Sequence, residues 1–321
     1  MLIDILLFLV GVGCLVGGAW LLVTGGSRVA AILGVPPVVI GLTVVAFGTS
    51  APELFVSLVG AVQGKTGLVL GNVIGSNVAN IGLILATAAL LRPVVVERGL
   101  ARREMPLLLG STLLFALFGL DGTISRFDGL MLVIAFAAFM GLTLRDRERE
   151  TPMVSVPGDA PAPAAGRRLR AALGGSGLVV VGVVALAGGG QLIINAAETL
   201  ARAIGISETL IGLSLVAIGT SLPELATTLM AAWRNQDDLA LGNIVGSNLF
   251  NLLAVAGPVA LIKPLPAEEG GIALQLGSMV LLTVLVYAMI ARCGGSIGRL
   301  RGAVLLVVYA ACMATWIVSA S

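Results

Sequence analysis

Histidine is absent from this chain of 321 residues, and its three cysteines, Cys14, Cys293 and Cys312, stand far apart. That inventory cannot build a Cys/His zinc site or a disulfide framework, so any bound metal has to be held by oxygen. The missing imidazole removes the usual general base, and no HExxH sequence occurs, which would leave a hydrolase with a glutamate mechanism alone. No enzymatic activity, no cofactor and no nucleic-acid partner are expected. Charge is scarce as well. Only 11% of the residues are charged, against roughly 25% in an ordinary soluble domain.

What the chain has instead is apolar length. Hydrophobic residues make up 58% of it, in segments of about 16–24 residues that can cross ~30 Å of hydrocarbon. Ten such segments are expected: Leu2–Val23, Val38–Gly60, Leu68–Leu91, Met105–Leu120, Phe127–Leu144, Ala171–Ile194, Thr209–Trp233, Leu239–Ile262, Ile272–Ala291 and Gly302–Val318. The fold class is therefore an all-α polytopic membrane protein embedded in the lipid bilayer of the cell (inner) membrane. The first segment lacks a basic leader and a small-residue cleavage site, so it is expected to be retained as a helix. With the N-terminus outside, 15 of the 19 basic residues fall in inner loops, and only Lys65, Arg126, Arg202 and Lys263 fall outside. The positive-inside rule then places both termini outward. The one long polar stretch, 145–170, carries six arginines among prolines and alanines and reads as a cytoplasmic linker. The acidic pairs Asp237-Asp238 and Glu268-Glu269 read as solvated turns.

Sliding the sequence along itself by 171 residues superimposes two halves, 1–144 and 171–321. Gly48-Thr49-Ser50-Ala51-Pro52-Glu53 meets Gly219-Thr220-Ser221-Leu222-Pro223-Glu224; Gly75-Ser76-Asn77 with Asn80 meets Gly246-Ser247-Asn248 with Asn251. Five spans per half is an odd number, so the second half enters the membrane from the opposite face. The layout is ten transmembrane helices in two inverted five-helix repeats, as in many secondary transporters.

Within each repeat, Thr49 and Glu53 are four residues apart, as are Ser76 and Asn80, so each pair shares a helix face. Counting at 1.5 Å per residue from the turn at Lys65 puts Glu53 and Ser76 ~16–18 Å deep, near the bilayer midplane. A carboxylate at that depth costs roughly 2.5–3.5 kcal/mol on insertion scales and points to function. Pro52 and Pro223 each withhold a backbone donor, and Gly48 and Gly219 four residues before them relax the turn, so helices 2 and 7 are expected to be broken there, freeing carbonyls. Two carboxylates, hydroxyls, amides and carbonyls form the oxygen set that hard cations such as Ca²⁺ require. The same glutamates could carry H⁺ in place of Na⁺, and the same ligands could line a cation channel.

These motifs resemble the paired alpha repeats of the cation/calcium exchanger superfamily, in particular its prokaryotic-type sodium/calcium exchangers. The alpha-1 motif spans 41–80, with GTSAPE and GNVIGSNVAN, and the alpha-2 motif spans 212–251, with GTSLPE and GNIVGSNLFN. The resemblance implies exchange of Na⁺ for Ca²⁺ by alternating access, in a protein functional as a monomer. It further implies a ligand set of Glu53 and Glu224; Thr49, Ser50, Ser76 and the Ala46 carbonyl; Thr220, Ser221, Ser247 and the Ala217 carbonyl; and Asn80 with Asn251. Many relatives carry Asp where this chain has Asn251. Two formal negative charges balance one Ca²⁺ or two Na⁺, whereas a third Na⁺ would leave the cluster net positive.

Overall fold

The computed structural model describes residues 2–149, 165–203, 217–266, 272–292 and 296–320. Linker residues 150–164, the first part of the expected seventh span (209–216), Cys293 and Glu268-Glu269 lie outside the described residues. The helices, in chain order, are α1 (Leu2–Leu33), α2 (Pro37–Thr49), α3 (Ala51–Val62), α4 (Thr66–Leu91), α5 (Arg98–Arg102), α6 (Glu104–Phe118) and α7 (Arg126–Arg149). They continue as α8 (Ala165–Ala203), α9 (Ala217–Thr220), α10 (Leu222–Trp233), α11 (Asp237–Ile262), α12 (Ile272–Arg292) and α13 (Arg299–Ala320). Seven of them (α1, α4, α7, α8, α11, α12 and α13) are long and apolar enough to cross a membrane; counting the bent pair α2–α3 as one span gives up to eight among the described residues. At 15 residues, α6 is shorter than a typical span. Helices α7 and α8 run into the expected linker from both sides, as its Arg- and Ala-rich flanks favour.

Burial identifies the centre of the molecule. In α4 and α11, 78% and 83% of the spanning window is buried, against 28% in α1 and α8. The motifs GNVIGSNVAN and GNIVGSNLFN therefore sit on the two innermost helices, and α1 and α8 lie at the periphery. Those two outer helices pack along a seam of glycines at heptad spacing. A Cβ added at Gly11, Gly18 or Gly25 would lie 2.8, 2.9 or 2.7 Å from the carbonyl of Gly189, Gly182 or Gly175, respectively. Only residues without a side chain permit that backbone approach.

Helix breaks occur where proline removes a donor. Ser50 (φ −85°, ψ 6°) separates α2 from α3 with a 45° bend, and Ser221 (φ −89°, ψ 5°) separates α9 from α10 in the same conformation. Each is followed by a proline in the first turn of the next helix, where the lost N–H has no helical partner to miss. Both inner helices also widen into a π-helical turn, at Asn80–Leu85 and at Phe250–Val255. Such turns concentrate at functional sites.

The 171-residue correspondence extends to backbone structure. Displaced by that interval, Ala46–Thr49 becomes Ala217–Thr220, Ala51–Val62 becomes Leu222–Trp233, and strand β1 (Val94–Val95) becomes β3 (Leu265–Pro266). Two short ladders tie the halves together: β1 pairs antiparallel with β4 (Ser296–Ile297), and β2 (Thr123–Ile124) with β3. Beside the first ladder, Arg92 donates to the Ala232 carbonyl (3.1 Å) and to Asn235, and meets Asp237 at 3.1 Å. Asp237 is thus a paired residue rather than a solvated turn, because folding places the arginine at the end of α4 over the α10–α11 turn.

Candidate functional site

The two breaks bring one glutamate from each repeat to the molecular centre. Glu53 and Glu224 are each 1% exposed and each lies in the first turn of its helix, where unpaired N–H groups favour negative charge. No Lys or Arg pairs with either among the described residues. Serine hydroxyls reach them instead, in a crossed pattern. Ser50 donates to Glu224 Oε1 at 3.0 Å, and its counterpart Ser221 donates to Glu53 Oε1 at 3.4 Å. From within the same repeat, Ser76 donates to Glu53 Oε1 and Ser247 to Glu224 Oε1, both at 3.4 Å.

Each carboxylate thus has one oxygen with two hydroxyl donors and one oxygen, Oε2, that is buried without a partner. The Oδ1 atoms of Asn80 and Asn251 are buried and unpartnered too. Leaving a buried polar group unsatisfied costs about 1–3 kcal/mol. Four such oxygens come from four helices, two in each repeat, and carboxylate and amide oxygens are the atom types that hard cations bind. Among the described residues no three of His, Cys, Asp and Glu come together. The donor set therefore has two carboxylates and otherwise neutral oxygens, which suits a cation that must be released as well as bound.

The other expected ligands are carried by the same helices and by α2 and α9 beside them. Thr49 is fully buried; its hydroxyl lies 3.3 Å from the Ala46 carbonyl, 3.1 Å from Asn243 Oδ1 and 3.3 Å from Ser247 Oγ. The Ala46 carbonyl also accepts the Ser50 N–H at 2.9 Å. Thr220 donates to Asn72 Oδ1 at 3.3 Å. Ala217 opens α9 at the edge of the described residues. Asn80 donates to Asn248 Oδ1 at 3.0 Å, whereas neither side-chain atom of Asn251 has a partner. An apolar cavity of about 520 Å³ lies beside the site, between α2, α3, α7 and α11, and touches it at Ser50.

Sequence reasoning passed over four asparagines. Asn72, Asn77, Asn243 and Asn248 are almost fully buried, and three of them, Asn72, Asn243 and Asn248, bridge the repeats. Asn72 donates to the Glu53 carbonyl at 3.0 Å and to Ser57 at 2.9 Å; Asn243 donates to Thr228 at 3.0 Å. Their signal was available, since Gly71-Asn72 recurs as Gly242-Asn243 and Ser57 aligns with Thr228.

Comparison with known proteins follows the same lines. The sequence profile of the sodium/calcium exchanger protein family matches residues 3–145 and 175–318. The chain is 34% identical to the inner membrane protein YrbG of Escherichia coli over 301 residues, covering 90% of this chain and 89% of that one. It is 31% identical to the sodium/calcium exchanger MaX1 of Methanosarcina acetivorans, covering 96% of this chain and 97% of that one. A solved structure of the sodium-calcium exchanger NCX_Mj superimposes with a TM-score of 0.85 at 32% identity, covering 98% of this chain and 99% of the other.

Proposed function

The chain belongs to the sodium/calcium exchanger protein family, and from that premise we propose that it is an antiporter exchanging Na⁺ for Ca²⁺ at a single midplane site. Glu53 and Glu224 supply the two negative charges. Thr49, Ser50, Ser76, Thr220, Ser221 and Ser247 complete the shell with the carbonyls of Ala46 and Ala217 and the amides of Asn80 and Asn251. The observation that carries this reading is the crossed serine–glutamate pairing with both Oε2 atoms buried and unpartnered. An ion entering there satisfies oxygens from both repeats at once, and its departure leaves them unsatisfied. Binding is thereby coupled to the relative position of the two halves.

The surrounding architecture is ten spans in two inverted repeats, with spans 2 and 7 broken at Ser50 and Ser221. The swapped ladders β1–β4 and β2–β3 support this, since each joins one half to the other at equivalent places. Both termini face outward from the inner membrane, in keeping with the distribution of arginines and with the relative named an inner membrane protein. The functional unit is the monomer, and the transported ions are the only ligands the site requires.

Purified protein in proteoliposomes tests the reading. Ca²⁺ uptake should follow an imposed outward Na⁺ gradient, and Glu53→Gln or Glu224→Gln should abolish it. Undiminished uptake in either variant contradicts the two-glutamate site. Uptake driven by a pH gradient without Na⁺ would assign H⁺ as the counter-ion, and single-channel currents without any counter-ion would make the protein a channel.

A further inference from the structure

Thr49 and Thr220 are cation ligands in the reading above, and the inference that follows rests on it. A hydroxyl has one proton and two lone pairs, so it ligates a cation only when its proton is directed elsewhere. For Thr49 three acceptors lie within reach of that proton. They are the Ala46 carbonyl at 3.3 Å, itself an ion ligand in that reading; Ser247 Oγ at 3.3 Å, a ligand as well; and Asn243 Oδ1 at 3.1 Å, the shortest of the three and contributed by the opposite repeat. A proton given to Ala46 occupies a lone pair the ion needs. Given to Asn243, it leaves the carbonyl and the hydroxyl lone pairs open together.

Asn243 is fixed in the accepting orientation. Its amide nitrogen donates to Thr228 Oγ1 at 3.0 Å, so its oxygen is the atom turned to Thr49. The first repeat mirrors this: Asn72 uses its amide nitrogen on Ser57 (2.9 Å) and on the Glu53 carbonyl (3.0 Å), which turns its oxygen to Thr220 at 3.3 Å. All six side chains are buried. We infer that Asn72 and Asn243 are positioning residues that hold the threonine protons away from the ion, each setting the ligand of the repeat it does not belong to. They touch no ion themselves. Their effect is on ion affinity and passes through the threonine hydroxyls, whereas general support of the fold would show itself in yield and maximal rate.

A double-mutant cycle with two readouts separates those roles. Equilibrium ⁴⁵Ca²⁺ binding to purified protein and Na⁺-driven Ca²⁺ uptake in proteoliposomes are measured for the wild type, Asn243→Leu, Thr49→Val and the double variant. Asn243→Leu is expected to raise the half-saturating Ca²⁺ concentration about tenfold, the scale of one lost hydrogen bond in a buried site, with the maximal rate largely retained. On a Thr49→Val background the same substitution should add about twofold or less, because the proton it directs is gone. Asn72→Leu should behave likewise against Thr220→Val. If Asn243→Leu does not accumulate as folded protein, Asn243→Leu combined with Thr228→Val removes both ends of the 3.0 Å bond and carries the same readouts. Unchanged half-saturation in the single variants, or effects that multiply fully in the double variant, overturn the inference and leave the exchanger reading standing. A wild type that binds neither Ca²⁺ nor Na⁺ overturns both.

Discussion

Asn251 is wholly buried, and neither its Oδ1 nor its Nδ2 meets a partner. An amide in that condition destabilises the ion-free protein, and in the ligand role proposed above for Asn251 an arriving ion offsets that cost. Asn251→Leu should therefore raise the melting temperature of the ion-free protein, by the equivalent of about 1–3 kcal/mol, and shrink the further rise that Ca²⁺ produces. Melting curves with Ca²⁺ and with chelator check both; a lower ion-free midpoint would assign Asn251 a structural bond. That the repeated glutamates, serines and threonines belong together was legible in the sequence, because their types and spacing recur at a fixed interval. The bridging roles of Asn72 and Asn243 were not, because a hydrogen bond across 194 or 148 residues is set by how the repeats cross. Neither repeat encodes that crossing by itself.

At the scale of elements, composition foretold the breaks, and the π-helical turns had no comparable signature. Pro52 and Pro223 each remove a donor that nothing else supplies, so the helix must end at the residue before the next turn begins. Asn80–Leu85 and Phe250–Val255 contain no proline, and both lie in the two most buried spans, α4 and α11. The glycine seam between α1 and α8 carries a prediction of its own. Gly18→Val would press a Cβ to 2.9 Å from the Gly182 carbonyl, where neither backbone can give way, and should cost about 1–3 kcal/mol. Gly17→Val, one residue along the same helix with nothing within 4 Å, serves as the control. Thermal unfolding of the two variants should separate them clearly, and equal midpoints would show that the seam is loose.

At the scale of the whole molecule, the two repeats match in backbone at the helix breaks and along α4 and α11, and among the described residues they differ in the bonds that α1 and α8 make. On α1, Ser27 donates to Gln236 at 2.8 Å, Thr24 accepts from Arg234 at 2.6 Å, and the Arg234 guanidinium lies 5.8 Å from the centre of the Trp20 ring. The residues 171 positions away on α8 make local bonds instead: Gln191 with Asn195 at 2.8 Å, and Glu198 with Arg202 at 3.6 Å. In the alternating-access antiporter proposed above, the tie between α1 and the α10–α11 turn would have to release during transport. Ser27→Cys with Gln236→Cys, in a background freed of Cys14, Cys293 and Cys312, should form a disulfide on mild oxidation. Oxidised protein should lose Na⁺-driven Ca²⁺ uptake, regain it on reduction, and bind Ca²⁺ throughout. If exchange continues at full rate across the closed disulfide, α1 and the α10–α11 turn move as one body, and access must alternate through some other displacement.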